Sequence, residues 1–119
     1  GGTDSRQSGV KIQQAGLYRF IWHVEMIQSS TSTAISLVVH RMPDTFALPT
    51  SRNYVLDTDL TSRLDYYRDG YYPYNSAGSF GTLVADMYCL TGDIVFPTIE
   101  TASVSKNVTR ASFTAQKIG

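Results

Sequence analysis

Residue types that carry acid–base or nucleophilic chemistry are sparse in this chain of 119 residues. Its histidines are His23 and His40, and we expect His40, which ends an apolar run and precedes an arginine, to be a surface residue at a strand end. No serine, histidine and acid grouping stands on a nucleophile-elbow motif, and no glycine-rich phosphate loop follows a predicted strand. The sequence therefore predicts that the protein is not an enzyme.

Metal chemistry is limited to a few acidic residues. Asp57 and Asp59 could supply calcium ligands, but a calcium ion takes six to eight oxygens. Two carboxylates do not complete such a site, so we expect no cofactor and no bound metal, and calcium stays open as the alternative. Cys89 is the single cysteine, which excludes an internal disulfide and a cysteine-based metal site. We expect it to be a core thiol, because free cysteine is among the most buried residue types.

Recognition chemistry is concentrated in one short segment, residues 66–75, which holds five of the eight tyrosines around the turn signal Asp69-Gly70. Tyrosine offers a large, rigid contact area with a polar tip, and sugars stack on aromatic faces of this kind. We therefore predict a ligand-binding site formed by Tyr66, Tyr67, Arg68, Asp69, Tyr71, Tyr72, Tyr74 and Asn75. The alternative is that these tyrosines line a contact between subunits or cover one end of the domain.

Composition restricts the classes of partner. Hydrophobic residues make up 42% and charged residues 17% of the chain, which fits a single globular domain with a lightly charged surface. Ten basic and ten acidic residues cancel, so there is no electrostatic footprint for a nucleic acid or an anionic membrane. No apolar run approaches the ~20 residues of a membrane span. We expect neither a nucleic-acid partner nor membrane insertion.

Short strands must position these residues, because apolar residues alternate along much of the chain and turn residues recur at close spacing. The predicted strands cover residues 10–13, 17–26, 34–40, 54–56, 79–90, 94–99 and 111–118, and a tight turn falls at residues 91–93. This pattern is typical of an all-β sandwich or barrel.

The strand at residues 17–26 has two different faces. Its even positions, from Tyr18 to Met26, all carry large apolar side chains, whereas its odd positions mix apolar and charged ones. Alternate side chains of a strand point to opposite sides, so the even face belongs in a core. We expect Trp22, together with Phe113 of the last strand, to be largely buried there.

Three blocks of the chain resemble one protein family. Residues 16–24 (GLYRFIWHV) are similar to the central strand of the complement component one q globular head, whose superfamily includes the tumour necrosis factors. Residues 76–96, from SAGS to GDIVF, resemble that family's small-residue loop, apolar strand, Gly-Asp turn and following strand. Residues 111–115 (ASFTA) resemble its closing strand. The family usually carries another strand or two before the first block, so this chain either is trimmed or builds its first strands differently.

The resemblance implies a jelly-roll β-sandwich of about ten strands in two sheets that assembles as a homotrimer, often on a fibrous stalk. Residues 1–119 would form a single head domain at the C-terminal end of such a fibrous chain. Because the family's central strand faces the trimer axis, the resemblance places Leu17, Ile21 and His23 in the trimer interface. The alternative, a solvated odd face, stays open because single exposed Leu or Ile residues are normal.

The expected function is a non-enzymatic receptor-binding or attachment head, as on a phage tail fibre or a surface filament. It would recognise a cell-surface glycan or protein, and we expect it outside the cell or on a virion or cell surface. One alternative is a secreted animal ligand or pattern-recognition domain of the same fold. A second alternative is a structural trimerisation cap of a fibre without a ligand. The absent disulfide and the tyrosine-rich segment favour the viral or bacterial setting.

Overall fold

The computed structural model of the chain describes residues 9–27, 34–47, 64–68, 72–73, 79–101 and 107–119. These residues form eight strands and no helix. The strands are β1 (Val10–Lys11), β2 (Gly16–Ile27), β3 (Ala34–Met42), β4 (Asp65–Arg68), β5 (Tyr72–Pro73), β6 (Ser79–Cys89), β7 (Ile94–Thr101) and β8 (Asn107–Lys117). The strand predicted at residues 54–56 lies outside the described residues.

All strand pairs are antiparallel, and they form two sheets. The larger sheet has the order β1-β7-β3-β4, and β5 pairs with β3 on the same edge as β4. The smaller sheet has the order β6-β2-β8. The chain changes sheet after β1, β2, β5, β6 and β7. The all-β class predicted from the sequence is confirmed, and the two sheets are compatible with a β-sandwich.

The core lies between the two sheets and is built on the even face of β2. Phe20, Trp22 and Val24 are almost completely buried, as the alternation of β2 predicts. They pack with residues of both sheets, including Leu83, Ala85 and Met87 of β6, Leu37 and Val39 of β3, and Val95 and Ile99 of β7. The Trp22 indole Nε1 donates a buried hydrogen bond of 2.9 Å to the Thr98 carbonyl oxygen, which connects the sheets through the core.

Phe113 is only partly buried, so the expectation that it lies largely inside the core is only partly met. Its ring stands edge-on to Trp22 with centroids 6.2 Å apart and is stacked on Phe20 at 5.8 Å. Among the described residues, β8 pairs with β2 alone.

The other side of the larger sheet is covered as well. Leu37, Val38 and Val39 are consecutive residues of β3 and all are fully buried, so both faces of this strand are shielded from water. Phe46, from the segment that follows β3, stacks on Phe96 of β7 with ring centroids 4.9 Å apart. A continuous apolar run is what a strand buried on both faces requires.

The turn between β6 and β7 is held by one carboxylate. Gly92 has a φ of 94°, a left-handed conformation that favours glycine, and the Asp93 backbone N–H donates to the Leu90 carbonyl oxygen at 3.0 Å. Asp93 Oδ2 accepts hydrogen bonds from the Leu90 backbone N–H at 2.8 Å and from Arg41 Nη1 at 2.9 Å. The tight turn predicted at residues 91–93 is therefore confirmed, and its acid connects the turn to β3.

Trp22 provides a direct test of the core. Replacing it with alanine should lower the free energy of unfolding by about 3–5 kcal/mol, because a large buried side chain and its hydrogen bond are lost. Gln13→Ala, at an exposed residue between β1 and β2, should change it by less than about 0.5 kcal/mol. Chemical denaturation followed by circular dichroism measures both values. A red-shifted, fully quenchable Trp22 fluorescence in the native protein would contradict the assignment of the two faces of β2.

Candidate functional site

The three residues assigned to an interface by resemblance share one surface. Leu17, Ile21 and His23 are odd residues of β2 and lie on the side of the smaller sheet opposite the core. Directly paired residues of neighbouring strands share a face, so this surface extends onto β6 and β8. We call it the β2 outer face, and it comprises Leu17, Arg19, Ile21, His23, Glu25, Thr82, Val84, Asp86, Tyr88, Arg110, Ser112, Thr114 and Gln116.

Large apolar side chains are exposed on the β2 outer face. Ile21 is 38%, Val84 54% and Tyr88 62% exposed. Ile21 pairs directly with Val84, and Tyr88 pairs with Leu17, so the apolar groups form two cross-strand rows rather than scattered points. Sequence reasoning missed Val84 and Tyr88, although the apolar parity of the strand at 83–90 could have placed both on the outer side.

A charged pair separates the two apolar rows. Arg19 Nε and Nη2 donate to Asp86 Oδ1 and Oδ2, both at 2.9 Å. These hydrogen bonds lower the pKa of the Asp86 carboxyl and raise the pKa of the Arg19 guanidinium. The pair neutralises its own charge within one chain, so the face presents little net charge to a partner. Water screens such an exposed pair, which therefore contributes little to folding.

His23 lies beside the Ile21–Val84 row and is held by two side chains. Its Nδ1 is 2.7 Å from Thr82 Oγ1 and its Nε2 is 3.0 Å from Glu25 Oε2. A threonine hydroxyl can donate or accept, so the ring keeps both hydrogen bonds whether it is neutral or protonated. A hydroxyl, an imidazole and a carboxylate also form hydrolytic triads. Here, however, they lie on an open sheet surface rather than in the water-excluded pocket in which such chemistry is effective.

The structure describes part of the tyrosine-rich segment. Tyr66, Tyr67 and Arg68 lie in β4 and Tyr72 lies in β5, so these residues follow one edge of the larger sheet, where no strand was predicted. We call Tyr66, Tyr67 and Tyr72 the tyrosine edge. The remaining predicted binding residues, Asp69, Tyr71, Tyr74 and Asn75, lie outside the described residues.

The two tyrosines of β4 do not form one platform. Neighbouring residues of a strand point to opposite sides, and Tyr66 is paired with His40 whereas Tyr67 is paired with Val39. Tyr66 is 42% and Tyr67 43% exposed, so both side chains are accessible from solvent. They therefore present aromatic surface on two sides of the same sheet edge.

His40 is buried, and the expectation that it lies at the surface was wrong. It is fully buried, its Nε2 is 2.7 Å from Thr98 Oγ1, and its ring lies 5.5 Å from Phe96 and 6.5 Å from Tyr66. The physical reason is that both sides of β3 are covered, so a polar residue after the apolar run still faces packed side chains. His40 is thus a hydrogen-bonded core residue.

Cys89 lies in the core, as predicted. Burial, and after it the negative charge of Asp93, raise the pKa of its thiol to about 11. Since the thiolate is the reactive form of cysteine, this group is chemically quiet in the folded protein.

No protein-family model matches this chain, and no curated protein matches its sequence. Within the described ranges, no three of the His, Cys, Asp and Glu side chains lie close enough to hold a metal ion. Asp57 and Asp59, the possible calcium ligands, lie outside those ranges. The described residues contain no helix that is long and apolar enough to cross a membrane. The candidate site is therefore defined by geometry alone, as two surfaces on different sheets.

Cys89 should not react with thiol reagents while the protein is folded. At pH 8 a thiol with a pKa of about 11 is about one-thousandth ionised, and its sulfur is also enclosed by the core. We expect labelling by Ellman's reagent only after denaturant unfolds the protein, with a labelling midpoint that coincides with the unfolding midpoint. Rapid stoichiometric labelling of the native protein would contradict the burial of this residue.

Proposed function

We propose that this domain is the head of a homotrimer that attaches to a cell-surface glycan or protein, as on a phage tail fibre or a surface filament. The observation that carries the proposal is the location of the exposed apolar rows and of the tyrosines on different sheets. The outer face of the smaller sheet would thus serve assembly, and one edge of the larger sheet would serve recognition. The head acts without catalysis, outside the cell or on a virion or cell surface.

The strand order supports a jelly-roll version of the fold. The strand β2 lies between β6 and β8, whereas β3 and β7 lie side by side in the other sheet. Apart from β3, β4 and β5, which share the larger sheet, strands that follow one another along the chain fall in opposite sheets, as in double Greek-key sandwiches. The strands of the three sequence blocks, β2, β6 with β7, and β8, are the ones that provide this alternation.

The β2 outer face supports assembly through Leu17, Ile21 and His23. Single exposed apolar residues are ordinary, but contiguous ones mark interaction sites. The apolar rows Ile21–Val84 and Leu17–Tyr88 flank the Arg19–Asp86 ion pair, so no unpaired charge lies between the two rows. His23 has hydrogen-bond partners within its own chain, so enclosing it does not leave the imidazole unsatisfied.

The tyrosine edge supports recognition on the outward side of such a trimer. Tyrosine supplies rigid contact area at low entropic cost, and the exposed rings of Tyr66 and Tyr67 are accessible on the sheet opposite the assembly face. A shallow site of this kind binds weakly, near millimolar or about 4 kcal/mol. Three copies on one rigid head raise the apparent affinity by about a hundredfold through effective concentration. Trimer formation and receptor binding are therefore coupled in this proposal.

One observation favours a second candidate, a structural cap without a ligand. The Tyr66 ring is stacked on the buried His40, so part of this tyrosine serves the packing of the larger sheet. A segment used entirely in this way would stabilise the head and bind nothing.

Oligomeric state is the first test. The wild-type protein should have the mass of three chains by light scattering at micromolar concentration. Ile21→Asp should reduce the mass to one chain, because it places an unpaired charge in a desolvated contact. Thr45→Asp, an equally charged change at an exposed turn residue, should leave the trimer intact. A wild-type monomer under these conditions would remove the basis for the proposal.

The tyrosines provide the second test, with a comparison inside the same segment. Replacing Tyr71, Tyr72 and Tyr74 together with alanine should abolish binding to whole cells and to a glycan array without changing the melting temperature. Tyr66→Ala should lower the melting temperature, because it removes the ring that stacks on His40. If the triple variant instead melts earlier and dissociates, the tyrosines belong to the subunit contact, and the receptor site is wrongly placed.

A further inference from the structure

A histidine and a carboxylate lie together on the β2 outer face, beside one of its apolar rows. His23 Nε2 is 3.0 Å from Glu25 Oε2, and the two side chains are 27% and 41% exposed. Both residues share this face with Ile21, which pairs with Val84 of β6. A contact that encloses the Ile21–Val84 row therefore also removes water from the His23–Glu25 pair.

Both protonation states of His23 fit the same side-chain positions. When the ring is neutral, Nε2 can donate to Glu25 while Nδ1 accepts from the Thr82 hydroxyl, whose Oγ1 is 2.7 Å away. When the ring is protonated, Nδ1 donates and the hydroxyl rotates to accept. A proton can thus be gained or lost without any movement of β2 or β6, and the difference between the two states is one of charge.

His23 is the group on this face whose charge changes near neutral pH. Histidine is the side chain that ordinarily titrates between about pH 5 and pH 8, and the second histidine of the chain, His40, is buried in the larger sheet. Besides Glu25, the titratable or charged groups of the β2 outer face in the described part of the chain are Arg19, Asp86, Tyr88 and Arg110. Side chains of these types ordinarily keep one charge state over that range. They affect the strength of a contact but not its change with pH.

We propose that protonation of His23 strengthens assembly of the trimer, so that the head is held together more tightly in acidic than in alkaline surroundings. This inference rests on the proposed function and concerns the regulation of the same face. Enclosing two opposite charges in contact costs less than enclosing one of them after its partner has been neutralised. With His23 protonated, each copy encloses a compensated pair. With His23 neutral, each copy encloses the Glu25 carboxylate with one counter-charge fewer.

Proton uptake fixes the direction of the effect. The assembled copies bind the His23 proton more tightly than the separate copies do, so the trimer takes up protons as it forms. The added stability is complete at a pH where the separate copies are already protonated. It is lost as the pH rises through the range in which the assembled copies release their protons. A closed trimer repeats the pair in every copy, so the effect is multiplied by the symmetry.

The wild-type protein provides the first measurement. Its trimer dissociation should be followed by sedimentation equilibrium over a dilution series at about pH 5.5 and about pH 8, on the two sides of an ordinary histidine titration. Assembly should be weaker by about tenfold or more at the higher pH, which corresponds to one pH unit of difference in proton affinity.

Three variants assign the effect to the pair. His23→Gln is neutral at every pH and keeps an amide that can hydrogen-bond, so its assembly should be equal at the two pH values and close to that of the wild type at the higher one. Glu25→Gln removes the counter-charge of a protonated His23, so its assembly should be weaker at the lower pH, the reverse of the wild type. Asp44→Asn removes a carboxylate at an exposed residue after β3 and should keep the wild-type pH dependence. Thermal melts at both pH values confirm that the variants are folded.

The possible failures are distinguishable. A wild-type trimer of equal strength at both pH values, or of greater strength at the higher one, would overturn the role of His23 and leave the trimer in place. Single wild-type chains at both values would remove the proposed function and this regulation together. Unchanged pH dependence in His23→Gln would assign the effect to another group, and an unreversed one in Glu25→Gln would exclude the ion pair as its cause.

Discussion

The two-sidedness of β2 is the constraint on which the other features of this domain depend. Its even side chains must be enclosed, and they are covered by β6, β8 and the facing sheet, with the Trp22 indole hydrogen-bonded across to Thr98. Because strand periodicity is two, the same register sends every odd residue to the opposite side. The apolar rows built on Ile21 and Leu17 are therefore a geometric consequence of the core. A one-residue slip of β2 would exchange the core for the surface and lose both.

Most of the correct predictions from sequence came from the alternation of apolar and polar residues along the strands. The errors arose where that alternation gives no information. It located β2, β6 and β7, and glycine chemistry located the turn at Gly92. It failed for His40, because periodicity within one strand cannot report whether a distant segment covers the outer side of that sheet. Phe46 is part of that cover on the larger sheet, and its stacking on Phe96 is a tertiary contact that local pattern does not reveal.

The candidate surfaces were predictable to different degrees. The shared face of Leu17, Ile21 and His23 followed from spacing alone, whereas their cross-strand neighbours Val84 and Tyr88 required the register between β2 and β6. In the tyrosine-rich segment, the amino-acid composition pointed to a candidate surface, but the sequence did not reveal how the backbone is arranged. The sequence suggested a turn flanked by aromatic rings, but part of the segment pairs with β3 as two short strands. Edge strands of two to four residues leave too few alternating positions to be recognised from sequence.

The single, enclosed Cys89 also means that folding of these 119 residues needs no particular redox environment. A domain that depends on disulfide bonds reaches its native state only in an oxidising compartment. Its stability then varies with the reduction potential of its surroundings. Nothing in the folding of these 119 residues depends on forming a sulfur–sulfur bond, since they contain one cysteine. The same polypeptide can therefore complete its fold in a reducing cytoplasm and retain it after transfer to an oxidising exterior. This independence of redox conditions is compatible with the proposed role at a cell or virion surface.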